Sequence, residues 1–510
     1  MFMKKTDVWK KAAAAGLAAL LAVGTITGCA AKTDTKETGT PAGDTAEKDG
    51  ASAKDTAAAD PAGGDIPTLV YWTVGGTTPS DFDQDIAAIN EYLEEKIHVK
   101  LDLKVAGWGD YEKKMNTIIN SGEYFDMMFV NNTNYSRFVK MGAFEDISDK
   151  LQSVAPELYE MIPEQLWKGV TIGGKVYSVP TYKDSSMAQF WYFDDQYVQK
   201  YNIDLDQIKT MQDLDKPFRD MKEGEGKGFY PLQMSQGSPF NGFFNEYDGL
   251  TSGLQPLGVK VDDQTRTVIC TLDQPDIMEN LKLLHQWYMD GIINPDANVL
   301  TEPQKKLPFS SAQGWPSAVA TWQVLNGVEK YDAFKVFGPL YSTDTIQGSM
   351  NAVSINSKYK DECLKFLQLV NTDSKLRDML AYGVPDKTFK YVGDGVIEKQ
   401  TDTWPLAAYT QGTFFNMSIT EDADPDQWDQ VKKQNEEAVS SSCLGFSLDL
   451  TNIQNEMSNC LTVWQKYKYD LLTGASDPET AVPAVIQELK AAGFDTVIQE
   501  AQKQINEFYN

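Results

Sequence analysis

Residues 173–180 read Gly-Gly-Lys-Val-Tyr-Ser-Val-Pro, and an aromatic-rich run, Met-Ala-Gln-Phe-Trp-Tyr-Phe, follows at 187–193. Two consecutive glycines suit a tight hairpin turn, whose central residues need positive φ. Val176 to Val179 reads as a strand, and Pro180 removes a backbone donor where pairing should stop. A regular strand–helix alternation lies before this stretch and a new body begins after it. The stretch therefore predicts the first crossover between two lobes, with Met187 to Phe193 as a strand of the second.

The alternation upstream is explicit. Thr68 to Val74 is an apolar run stopped by Gly75-Gly76. Ser80 is placed to cap a helix in which Phe82, Ile86, Ile89, Leu93 and Ile97 recur at spacings of three and four, one apolar face. Val99, Leu101, Leu103 and Val105 alternate as a second strand. A short helix follows over Asp110 to Ser121, and Phe125 to Val130 forms a third buried strand. This order predicts a mostly parallel sheet. Ligands of such open sheets bind beyond the carboxyl ends of the strands, here Trp72–Thr77, Gly107-Trp108-Gly109 and Asn131-Asn132-Thr133. Glycines, a tryptophan and paired amides suit a neutral polyhydroxylated ligand.

Downstream, Thr210 with Asp213 forms a capping-box pattern. Val259 to Leu272 reads as a hairpin, and Ile277, Leu281, Leu284 and Tyr288 line a helix ended by Gly291. Phe334 to Leu340 is the second crossover, residues 350–383 rejoin the first lobe, and the chain then crosses again. The tail reads as helical: Leu461, Trp464, Tyr467 and Leu471, then Val482 to Leu489, then Val497 to Phe508.

The 510 residues carry a formal net charge of −27, with 42% hydrophobic and 11% aromatic residues. That length exceeds one simple core. The acidic balance argues against nucleic-acid binding, which needs a basic footprint. At the N-terminus, Lys4, Lys5, Lys10 and Lys11 precede an apolar run from Ala12 to Ile26 that is too short to span a bilayer. The run ends in Ile26-Thr27-Gly28-Cys29, which resembles a bacterial lipobox; Cys29 is then the diacylated first residue of the mature chain. From Ala30 to Asp65 there is no Leu, Ile, Val, Met or aromatic residue. Such a segment cannot offset its ordering entropy and reads as a disordered tether with a reach of roughly 30 Å. Cys363 falls on an apolar helical face, and a Cys443–Cys460 disulfide is left open.

Catalytic patterns are missing. His98 and His285 are the only histidines, and neither belongs to a recognisable triad motif. Gly169 to Lys175 has phosphate-loop spacing, but Val176 stands where a hydroxyl is needed and a strand follows. Asp422-x-Asp424-x-Asp426 starts like a calcium loop, yet Gln427 replaces the glycine and Lys433 the closing glutamate. Asp424 capping a helix from Pro425 accounts for it better. No metal or cofactor is expected.

Three motifs in order, Ser121-Gly122-Glu123-Tyr124-Phe125-Asp126, Gly142-Ala143-Phe144-Glu145-Asp146-Ile147 and Gly174-Lys175-Val176-Tyr177-Ser178-Val179-Pro180, followed by the return at Asn351 to Lys365, resemble extracellular solute-binding protein family 1 of ABC importers. The C-terminal part, from Leu444-Gly445-Phe446 to Gln504, resembles a domain appended in a lipoprotein subgroup. The resemblance implies a two-lobed α/β periplasmic-binding-protein-like fold (type II) with an interlobe cleft and hinge crossovers. The expected division is a signal peptide over 1–28, a tether over 29–66, a first lobe of 67–178 plus 341–385, and a second of 179–340 plus 386–510. The implied function is capture, without catalysis, of a carbohydrate, oligosaccharide above all, for an ABC permease. The protein would sit lipid-anchored on the extracytoplasmic face of the cell membrane. Aromatic and amide side chains at strand ends, in loops and where the second lobe meets the cleft give the expected contacts: Trp108, Asn131, Tyr182, Trp191, Trp315, Trp322, Trp404 and Phe414. A secreted glycoside hydrolase, a binder of peptides or polyamines, and a purely structural surface lipoprotein stay open.

Overall fold

The first apolar run forms β1 (Thr68–Gly75) of the computed structural model, which describes residues 66–302 and 304–509. The predicted signal peptide, Cys29 and the tether up to Asp65 lie outside the described residues. β1 pairs in parallel with β2 (Lys100–Gly107), Tyr71 opposite Leu103, and with β3 (Met127–Val130). Helix α1 (Phe82–Ile97) joins β1 to β2 and buries Phe82, Ile86, Ile89 and Leu93, the face its spacing predicts. Its N-cap is Asp81, not Ser80. Two further strands complete the sheet in the order β2-β1-β3-β8-β4. β4 (Ser178–Pro180) and β8 (Met350–Val353) both run antiparallel to their neighbours.

The Gly173-Gly174 hairpin forms as expected, but the strand expected over Val176 to Val179 is split at Tyr177, Pro180 still pairs opposite Met350, and the crossover follows only after it. Thr171–Ile172 and Lys175–Val176 pair antiparallel around Gly173 and Gly174, both at positive φ. The backbone then enters the first lobe's sheet as β4 before crossing to β5 (Met187–Asp194). The second lobe is built on β6-β5-β7-β9, where β6 is Phe309–Gln313, β7 Tyr331–Tyr341 and β9 Val439–Ser440. β5 is antiparallel to β6 and β7, and β9 is parallel to β7. The predicted hairpin forms between Leu257–Lys260 and Ile269–Cys270.

Two large cores separate the lobes. One gathers Tyr71, Ile89, Phe129, Met350 and Phe366; the other gathers Phe193, Phe218, Trp287 and Phe309. Three C-terminal helices, Gln454–Leu472, Pro478–Ala491 and Phe494–Tyr509, contribute Trp464, Val485 and Val497 to the second core. The free thiols Cys443 and Cys460 belong to it, and Cys363 is buried in the first.

The structure departs from the expected domain division at two places: residues 179–180, expected in the second lobe, end a strand of the first lobe's sheet, and residues 386–418, also expected in the second lobe, pack on the first. Lys387 pairs with Asp81 at 2.7 Å, and also with Asp85, both at the start of α1. Pro405 O accepts from Gly76 N at 2.7 Å, so close to β1 that a Cβ on Gly75 would lie 2.4 Å from that oxygen. Asp378, in the helix Ser374–Tyr382, accepts from Ser418 N and Oγ at 2.8 and 2.6 Å. The chain returns to the second lobe only with the helix Gln427–Glu436, whose Val431 packs near Trp315 and Trp322. That helix starts two residues beyond Pro425, with Asp426 at its N-cap; Asp424 accepts from Asp426 N at 2.9 Å.

Residues 443–450 strap the lobes together. Leu444 lies in the first core, Phe446 and Leu448 in the second, and Asp449 pairs with Lys140 of the first lobe at 2.6 Å. Burial opposes the Asp449 charge, but Lys140 and Thr451 hold its carboxyl down to about 2. A depressed folded-state pKa contributes stability above the unfolded value of about 4, lost as pH falls toward 2. Both side chains are about a third or more exposed, so solvent screening limits the pair to under about 1 kcal/mol. Asp449→Asn should lower the melting temperature by a few degrees at most at pH 7, shrinking at pH 3 and in high salt. Equal shifts at all three conditions would show that the charge is not the cause.

Candidate ligand-binding cleft

A cavity of about 1250 Å³ opens between the lobes. The second lobe supplies most of its wall from two segments, 233–257 and 301–313, the second of which runs into its edge strand β6. The first lobe supplies Asn132, Thr133 and Tyr409, and the crossovers supply Lys183, Asp184, Ser342 and Asp344. The chemistry is dominated by neutral amides, among them Gln233, Asn241, Asn245 and Gln313, and by hydroxyls such as Ser235, Ser310 and Ser311. Tyr192, Phe244, Tyr247 and Tyr409 add aromatic surface.

Charge at the wall is sparse and mostly neutralised. Lys183 pairs with Asp184 at 2.7 Å and lies 5.9 Å from the Tyr409 ring centre. The Lys305 ammonium donates to the Leu325 carbonyl. Asp248 accepts from Leu250 N at 2.9 Å and from Ser441 Oγ at 2.6 Å. Asp344 accepts from Asn132 Nδ2 at 3.1 Å. Burial, and then the neighbouring Asp248 charge, push the Asp344 carboxyl up to about 6; burial also raises Asp248. The wall is therefore close to neutral in spite of the −27 of the whole chain.

The cavity wall contains none of the eight side chains expected to face a ligand, and most are core residues. Trp191 is enclosed by Phe240, Phe309 and Phe334, and Phe414 lies 4.7 Å from Trp428. Trp315 packs near Trp428, and Tyr182 against Phe415 at 4.5 Å. Trp404 donates from Nε1 to Leu380 O at 2.9 Å and packs on Phe82. These are corrections with one cause: large apolar rings gain more by burial in a lobe than at its edge.

Three of the eight stand directly behind the wall. Trp322 stacks on Tyr192 at 4.8 Å and 14°, which backs that lining ring. Asn131 accepts from Thr133 N at 3.1 Å and Thr133 Oγ1 at 2.6 Å, shaping the turn that presents Asn132 and Thr133. Trp108, the first residue of α2 (Trp108–Ser121), is 41% exposed and stacks on Tyr409 at 6.1 Å and 14°. The lining residues that the sequence reading missed cluster in Gln233–Asn245 and Gly249–Gln255. Their signal was a run of amides, hydroxyls and glycines with interspersed phenylalanine.

A family model described as bacterial extracellular solute-binding protein matches residues 75–375, and one described as a domain of unknown function (DUF3502) matches residues 442–510. The chain belongs to the bacterial extracellular solute-binding protein family. A carbohydrate ABC transporter substrate-binding protein of Streptococcus pneumoniae is 28% identical to this solute-binding protein over 456 residues, 87% of this chain and 91% of the relative. The crystal structure of an N-glycan transport solute-binding protein (NgtS) of the same organism superposes with a TM-score of 0.77 at 26% identity, covering 87% of this chain and 99% of the other. NgtS in complex with Man1GlcNAc or Man5GlcNAc superposes less closely, at 0.69 and 0.67, with 25% identity and the same 87% of this chain. These relatives are binding proteins, and the family places this solute-binding protein outside the cytoplasm.

Asp344 gives the cleft a pH dependence. A raised folded-state pKa means stability present below the unfolded value of about 4 and lost as pH rises through about 6. Asp344→Asn should therefore stabilise the protein at pH 7.5, by about 1–3 kcal/mol, and have little effect at pH 4. Thermal melts at the two pH values check this; destabilisation at pH 7.5 would mean the carboxylate is a net favourable partner there.

Proposed function

We propose that this protein is the substrate-binding subunit of an ABC importer. It captures a neutral oligosaccharide between its lobes and delivers it to the membrane permease without chemical change. The observation that carries this reading is the interlobe cavity, large, nearly neutral and walled by amides, hydroxyls and tyrosines. Its volume exceeds the roughly 300–1,000 Å³ of pockets for drug-sized ligands. Amides can both donate to and accept from sugar hydroxyls. Polyamines and basic peptides would instead call for a wall of uncompensated carboxylates. The mannose- and N-acetylglucosamine-containing glycans of NgtS make this the ligand class to try first.

Aromatic faces supply the apolar part. A ring stacked on the C–H face of a sugar buries about 100 Å² and contributes roughly 2–3 kcal/mol. Micromolar affinity requires about −8 kcal/mol, within reach of two or three such stacks plus hydrogen bonds after association costs. Of the expected contacts, Trp108 keeps a part, through its stack with Tyr409; Asn131 acts by placing Asn132. Closure of the lobes would be selected by a ligand that touches both. Export and a diacylated Cys29 followed by the tether would hold the protein at the outer face of the cell membrane.

Titration calorimetry of the chain lacking residues 1–65 should give saturable, micromolar or tighter binding of a neutral oligosaccharide such as Man5GlcNAc, with the glycan recovered intact. Trp108→Ala and Tyr409→Ala should each weaken it about tenfold or more, or about 1.4 kcal/mol. Binding of polyamines or cationic peptides alone, or release of cleaved sugar, contradicts the reading. For the anchor, the Cys29→Ala protein should leave the membrane fraction; full retention there refutes lipidation.

A further inference from the structure

Residues 408–413 contain one 3₁₀ turn, Ala408–Thr410, and no strand. Each of their six carbonyls nevertheless accepts a side-chain donor from the first lobe. Arg377 Nη2 donates to Ala408 O at 2.6 Å and to Gly412 O at 3.2 Å, and its Nε to Thr413 O at 2.6 Å. Ser349 Oγ donates to Tyr409 O at 2.7 Å. Asn351 Nδ2 donates to Thr410 O at 3.0 Å and Gln411 O at 3.4 Å. Thr413 N in turn donates to Asn371 Oδ1 at 2.8 Å.

Arg377 is the unusual member. It is fully buried, and the adjacent Asp378 carboxylate is engaged by Ser418 and by the Tyr391 hydroxyl. Burial lowers the Arg377 pKa to about 10, which leaves it cationic at neutral pH. Nη1 finds no hydrogen-bond partner. A buried cation without a bonded carboxylate is costly unless other polar groups converge on it. Here the convergence is three carbonyl oxygens, through charge-assisted bonds in the fork geometry that only a guanidinium offers. Those carbonyls stand on both sides of Tyr409. Of residues 405–418, Tyr409 is the one that lines the cavity, and Trp108 stacks on its ring.

We propose that Arg377 is a positioning residue of the binding wall: it touches no ligand, and by clamping the carbonyls that flank Tyr409 it holds the Tyr409–Trp108 pair as a rigid platform in the cleft. That the platform meets a sugar face rests on the carbohydrate reading; the clamp itself does not.

Hydrogen exchange on the full mature chain, without ligand, tests the clamp. Arg377→Lys keeps a charge but its single ammonium cannot span Ala408, Gly412 and Thr413. Amides of 406–416 should exchange about tenfold faster or more, with β1 and β8 unchanged, because the opening is local. Unchanged exchange at 406–416, or acceleration spread evenly through the first lobe, overturns the proposal. Should Arg377→Lys fail to fold, Ser349→Ala, which removes the donor to Tyr409 O together with the 3.0 Å contact to the Thr181 hydroxyl, should still accelerate the same amides about threefold, and no acceleration overturns it. Binding of Man5GlcNAc tests the platform. Arg377→Lys with Tyr409→Ala should bind within about twofold of Tyr409→Ala alone, because the arginine acts through that ring; additive losses contradict this. If the unaltered protein binds no oligosaccharide, the carbohydrate reading falls, while exchange at 406–416 still decides the clamp.

Discussion

The antiparallel insertion of Met350–Val353 between β3 and β4 is the constraint on which the molecule depends. All four residues are buried, and the strand pairs on both sides, with Met127–Val130 and with Ser178–Pro180. The first lobe's sheet therefore cannot close until the chain has built most of the second lobe and come back. This return sets two crossovers side by side, at 181–186 and 342–349; the second was expected over Phe334 to Leu340, which instead lie within the second lobe's strand Tyr331–Tyr341. Asn351 in the same strand extends the constraint outward. Its Oδ1 accepts from the Tyr71 hydroxyl at 2.6 Å in the core while its Nδ2 holds the loop that carries Tyr409. One strand thus ties the fold to the wall of the cleft.

The two kinds of surface follow from the same geometry. Each lobe buries its large rings between its sheet and helices, where close packing stabilises them most. The loops between the lobes cannot be apolar, since a wide cleft stays hydrated when empty. They are built from Ser, Asn, Gln and Gly, whose side chains lose little by facing water and can exchange it for hydroxyls of a ligand. Charges that reach this region are engaged, as Lys183 with Asp184 and Lys305 with a carbonyl, or have raised carboxyl pKa values, as Asp248 and Asp344. The acidity of the chain is a property of its exterior.

Periodicity made much of this fold legible. The apolar spacing of Phe82, Ile86, Ile89 and Leu93, the alternation of Leu101 and Leu103, and the Gly173-Gly174 turn each have a direct structural counterpart. Residues 386–418 were misplaced because they are held to the first lobe by Arg377, Asp378, Asn351 and Lys387 rather than by a repeating apolar face. Bonds from single side chains to backbone groups leave no period in a sequence. The cleft was misread for a related reason. Aromatic residues beside glycine or proline look exposed, yet Trp315, Trp404 and Phe414 are covered by segments far away in the chain. The polar loops that do line the cavity look like linkers. Only Trp108, at a strand-to-helix junction, kept both its exposure and a place beside the wall.

Small-angle scattering on the chain without its tether tests the central claim most directly, because capture between hinged lobes requires the ends of the cleft to approach. Saturating Man5GlcNAc should reduce the radius of gyration and shorten the maximum dimension. An unchanged scattering profile with the glycan demonstrably bound would contradict capture by lobe closure.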